Sequence, residues 1–203
     1  MALTLLAYGW IAYDADVRRA DLGIGRYAWS ELRCGCGRQA SHLEGGFARL
    51  AGADAEFDAG ALEGHVFSET VLYEPAPVVI SACLDALADD LAVTARLHLL
   101  ALLAQLSSAQ DQPPGVTNAG SNLWSECRAA LRKGIPLLYA EVFRAYPKQA
   151  GRENAMVAAS YAFDVLMMID NDAQRVERCR SAAAEFLAWD LRSKASFGGS
   201  ASS

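Results

Sequence analysis

A chain of 203 residues with 53% apolar and 21% charged residues has a globular composition, which excludes a disordered or fibrous chain. Its 39 alanines against 6 prolines favour helices, because alanine loses no side-chain entropy in a helix, and argue against a β-sandwich or a disulfide scaffold. A net charge of −6 argues against a general nucleic-acid binder, which needs surplus Lys and Arg to neutralise phosphates.

Residues 1–13 are mostly apolar, but they lack the positive leader of a secretory signal, and Asp14 and Asp16 follow directly. No apolar run approaches the ~18 residues of a membrane span. Five cysteines are an odd number, and Cys83, Cys127 and Cys179 sit inside apolar helical patterns, where thiols act as small hydrophobes. The expected setting is the reducing cytoplasm, with no membrane. Residues 3–13 fit a strand or a helix equally. Glycines such as Gly23, Gly35, Gly46 and Gly60 then limit helices to short pieces, expected over 16–22, 28–32 and 42–50.

From Pro77 the helical signal strengthens. Val79, Ile80, Cys83, Leu84, Leu87 and Leu91 share one face of a first helix. Pro77 suits its first turn, where a missing N–H costs nothing. A second helix is expected over 92–107, with a stripe of Val93, Leu97, Leu100, Leu103 and Leu106 widened by Leu99 and Leu102. Pro113-Pro114-Gly115 marks a loop. A third helix over 123–146 should kink or split at Pro136. A fourth covers 153–169. The fifth covers 173–192, with Asp172 as N-cap and Trp189 in its apolar set. Residues 1–70 therefore read as a glycine-rich cap of short helices and loops, 71–194 as a helical-repeat region and 195–203 as a disordered Gly/Ser tail. The expected fold class is all-α, an irregular solenoid of helical hairpins.

Ala61-Leu62-Glu63-Gly64, Phe67-Ser68-Glu69, Val71-Leu72-Tyr73-Glu74-Pro75-Ala76 and the apolar helix that follows resemble bacterial HEAT-like repeat proteins. Cys127-Arg128, Ala130, Gly134, Pro136 and Leu138 match a later element of that family. Where the family carries His-Gln-Gly, this chain has Ser68-Glu69-Thr70. The resemblance spans residues 60–190. It implies a binding scaffold, and some members are similar to immunity proteins encoded beside bacterial toxins.

Nucleophile-elbow, phosphate-loop and His-Glu-x-x-His patterns are absent. Cys34-Gly35-Cys36 with His42 offers two thiols and an imidazole, all good zinc ligands. A structural site needs a fourth, for which His65 and distant cysteines are the nearest candidates. Cys-x-Cys is less typical than Cys-x2-Cys, so an ordinary glycine-rich loop with no metal and no cofactor is the expectation. His98, on a helix, reads as a structural residue.

Charge is uneven: residues 1–121 carry a net −8 and 122–203 a net +2. Exposed acids near aromatic side chains make a surface for a basic partner. The partner-binding candidates are His65, Glu69, Tyr73, Glu74, Asp85, Asp89, Asp90, Trp124, Asp170 and Asp172. The expected function is a non-enzymatic protein-binding module, an immunity protein covering the active site of a basic toxin domain. A metal- or thiol-dependent enzyme or regulator using Cys34, Cys36 and His42 is one alternative, and an adaptor in a larger assembly is another.

Overall fold

A computed structural model of the chain describes residues 25–51, 62–69, 71–109, 122–144 and 152–192. The expectations for 3–13, 16–22 and the tail at 195–203 lie outside those residues.

The described part is mostly helical. A 3-10 turn at Trp29–Glu31 leads to α1 (Ser41–Ala51). Two short antiparallel strands follow, β1 (Phe67–Ser68) and β2 (Val71–Leu72), with Phe67 opposite Leu72. Then come α2 (Ala76–Leu87), α3 (Val93–Ser108), α4 (Leu123–Lys133), α5 (Ile135–Val142), α6 (Arg152–Ile169), α7 (Ala173–Ala183) and the single turn α8 (Trp189–Arg192). The helix α3 packs mainly on α6, α6 also on α5, and α2 on α4 and α3. No helix among the described residues is long and apolar enough to cross a membrane.

Local chemistry explains the boundaries. Asn122 and Asp172 cap α4 and α7, each side chain accepting from the backbone N–H three residues on. At Gly134 the expected third helix divides into α4 and α5, and Pro136 falls in the first turn of α5, where no backbone bond is lost. A Cβ at Gly134 would lie within 2.8 Å of Leu84 Cδ1, so a residue without a side chain lets α2 reach this corner.

The wide stripe on α3 is buried on two sides: Leu99, Leu100, Leu102, Leu103 and Leu106 are all fully enclosed. Each such leucine contributes about 1.5–3 kcal/mol of burial. One buried charge sits among them. The Arg96 guanidinium donates to the carbonyls of Leu87 and Asp89 beyond the end of α2 and to Glu141 of α5 at 2.8 Å, and both side chains are essentially inaccessible. Arg144 donates to the same carboxylate. This knot joins α2, α3 and α5.

The expected fifth helix is interrupted. The helix ends at Ala183, the Phe186 and Leu187 N–H groups turn back to its carbonyl, Leu187 is buried in the core, and the Ala188 N–H donates to the Ser160 hydroxyl of α6 at 2.9 Å. Trp189 consequently leaves the apolar face on which its spacing had placed it and is 78% exposed. The expectation that it belongs to the core is corrected accordingly.

Candidate metal centre

Three short segments converge beside the start of α2. The first is a tight turn over 34–38. Its Cys34 N–H donates to the Arg38 carbonyl, Gly37 N–H donates to the Cys34 carbonyl, and Gly37 takes a φ of +82° that favours glycine. The second is the first turn of α1, which carries His42. The third is the turn over 62–66, which presents His65 and is closed by bonds from the His65 and Val66 N–H groups to the Leu62 carbonyl.

The segments are bolted together by main chain. Gly35 N–H donates to the His65 carbonyl at 2.9 Å, and the Cys34 thiol lies 3.3 Å from the same oxygen. Gly35 has to be glycine, because a Cβ there would enter the Tyr73 ring and stand 2.6 Å from the Gly64 carbonyl.

The result is a cluster of Cys34, Cys36, His42 and His65 whose ligand atoms all lie within 4.8 Å of one another. Cys34 Sγ is 3.1 Å from His65 Nδ1 and 3.6 Å from His42 Nε2, Cys36 Sγ is 3.9 Å from His42 Nε2, and the two imidazole nitrogens are 3.1 Å apart. Zinc bonds of about 2.0–2.3 Å in a regular tetrahedron place ligand atoms roughly 3.3–3.8 Å apart, close to this spacing. The expectation of an ordinary loop is therefore replaced by a four-ligand cluster of the Cys2His2 type.

The surroundings orient the ligands. His42 Nδ1 stands 2.8 Å from the Gln39 carbonyl, which can only accept. Nδ1 therefore carries the proton, and Nε2 turns its lone pair into the cluster. Metal-binding histidines are usually fixed by such a bond. Burial raises the Cys34 thiol above its ordinary value. The exposed Cys36 thiol is lowered to about 6, chiefly by hydrogen bonding from the Arg38 backbone and side chain. Near neutral pH Cys36 therefore favours its thiolate, and a cation beside Cys34 would favour the same form there. The other cysteines differ: Cys83, Cys127 and Cys179 are buried in helices, and burial raises all three thiols.

Most of the acids expected to meet a partner are engaged within the chain. Asp85 on α2 pairs with Arg26, and Glu74 just before α2 accepts the Arg33 N–H at 2.7 Å, so both fasten the segment that carries Cys34 and Cys36. Tyr73 packs its ring against Gly35. The Asp170 side chain is 1% exposed and accepts from Arg175 and from the Tyr139 hydroxyl, and these bonds hold its carboxyl well below the usual carboxylate range. Asp172 caps α7, and Trp124 lies half-buried with the Arg128 guanidinium 5.5 Å over its ring. Asp89 is half-buried and lends its carbonyl to Arg96. Glu69, at the hairpin turn with a φ of 49°, and Asp90 are exposed. His65 belongs to the cluster, and His98 lies half-buried on α3 outside it.

No protein family, curated protein or solved structure matches this chain.

Proposed function

We propose that this protein binds one zinc ion through Cys34, Cys36, His42 and His65, and that the ion clamps the segment before α2 onto the helical body. The observation that carries this reading is the convergence of four ligand atoms within 4.8 Å, one of them aimed by its own second hydrogen bond. Two thiolates and two imidazoles suit zinc and disfavour magnesium or calcium, which take oxygen ligands. Four protein ligands fill a tetrahedron. No position is left for a substrate, so the role is structural and not catalytic.

Around that clamp the larger role is a non-enzymatic protein-binding module working in the reducing cytoplasm, with its helical hairpins ordered as in HEAT-like repeats. A toxin-immunity protein is its most specific version. Net charge of −6 with exposed Glu69 and Asp90 supports a basic protein partner.

Elemental analysis of protein purified without chelator tests the metal reading and should return about one zinc per chain. Cobalt exchanged into the site should show tetrahedral thiolate absorption. Cys36→Ser or His65→Ala should lower the zinc content. Metal-free protein that also leaves cobalt in its aqueous spectrum would refute the proposal.

A further inference from the structure

We propose that the clamp is a reversible oxidant switch: peroxide converts the zinc-bound Cys34 and Cys36 thiolates into an intramolecular disulfide and releases the ion. This rests on the zinc reading above and concerns the regulation of the same site.

Three observations carry it. The two sulfur atoms belong to a group whose ligand atoms lie within 4.8 Å, and only Gly35 separates the residues. Side-chain rotation can therefore bring the sulfurs toward the ~2.05 Å of a disulfide bond. Cys36 is exposed at the rim, so an oxidant reaches it, whereas Cys34 behind it is buried and positioned to resolve the product. The remaining cysteines are enclosed by helices, so the chemistry is confined to one pair.

The step balances. The Cys36 thiolate attacks one oxygen of hydrogen peroxide, the O–O bond breaks, and a sulfenic acid and hydroxide form. The Cys34 thiolate then attacks the Cys36 sulfur and displaces a second hydroxide. Two thiolates lose one electron each to make the S–S bond, and peroxide takes up both electrons. Zinc remains divalent throughout. It loses two anionic ligands and keeps two neutral imidazoles, too few to hold it.

Release matters structurally because the ligands come from three separate segments. With the ion gone, residues 25–51 keep their main-chain bolts and the Arg26–Asp85 pair but lose the centre that joins them. A thiol reductant with zinc restores the clamp.

The experiment uses the zinc-loaded full chain. Hydrogen peroxide is added with a chromogenic chelator present, and intact mass, peptide mapping and limited proteolysis are followed together. About one equivalent of zinc should appear in step with loss of two hydrogens. The map should show a Cys34–Cys36 disulfide with Cys83, Cys127 and Cys179 unmodified. New cleavages should fall within 25–51, and dithiothreitol with zinc should reverse every change. Zinc retained under peroxide, a disulfide to a buried cysteine, or irreversible sulfinic acid at Cys36 would each overturn the switch while leaving zinc binding intact. Protein that never loads zinc refutes the metal reading itself.

Discussion

The region before α2 and the helical body that follows are held together by different physics. In the body, α3 lies between its neighbours and buries leucine on two sides, and apolar area does most of the holding. In the earlier region the described regular structure is one helix, a 3-10 turn and a two-residue hairpin. Trp29, Cys34, Ala40, Leu43, Leu62, Val66, Phe67 and Leu72 are buried, and they join the same core as the helices. The four candidate ligands stand where three of its segments meet. Small or loop-rich units are commonly held by a metal or a covalent link. The cysteines divide along the same line: Cys34 and the exposed Cys36 at the loop junction, three others enclosed between helices.

Several substitutions and treatments test that contrast. The largest effect should come from the ligands themselves. With free zinc at a thousand times its dissociation constant, binding adds about 4 kcal/mol, or roughly 8–16 °C in a domain of this size. Chelator or Cys34→Ser should abolish that increment and expose amides of 25–51 to hydrogen exchange, while α3 and α6 stay protected. Uniform loss of protection across both regions would show that they are not separately held.

In the body, the corresponding weak point is the buried ion pair. Glu141→Leu leaves the Arg96 guanidinium enclosed without its partner and should cost about 3–5 kcal/mol in denaturant melts. Adding Arg96→Met should recover much of that loss. A double variant as unstable as the single one would argue against charge burial as the cause.

Gly134→Ala should cost about 1–3 kcal/mol through the Leu84 side chain, with zinc content unchanged. A pH titration separates Asp170 from the rest. Its folded carboxyl is held below its unfolded value, so its stabilisation is complete above about pH 4 and is lost as the pH falls further. Asp170→Asn should lower stability at neutral pH and flatten the acid limb of that curve. The smallest effect is expected at Trp189: being 78% exposed, Trp189→Ala should move stability by no more than about 0.5 kcal/mol.

The body is far more legible in the sequence than the Cys-His cluster. The starts of α2, α3, α6 and α7 lie within one residue of where periodicity, Pro77 and Asp172 place them. Helix periodicity is a local signal, and its clear failure lies where a contact from elsewhere in the fold intervenes. The spacing of Phe186, Leu187 and Trp189 continues a helix that has ended at Ala183, beyond which the Ala188 N–H donates to Ser160 of α6. The hairpin escaped notice because two-residue strands are too short to show alternation. The Cys-Gly-Cys turn and His42 stood out as residue types, but His65 lies 23 positions beyond His42 and no spacing rule connects them. The acids show the same limit. Asp170 read as a surface charge, and the Arg175 that encloses it is visible as a partner only once α7 turns back.

Gly134 has one more consequence. It is the single residue between α4 and α5, and Glu141 lies seven positions beyond it. A helix turns about 100° per residue. Inserting one alanine at this joint would rotate the whole of α5 by that angle and swing the carboxylate away from the Arg96 guanidinium. The glycine thus sets the phase of the following helix, and the length of the joint is as constrained as its identity.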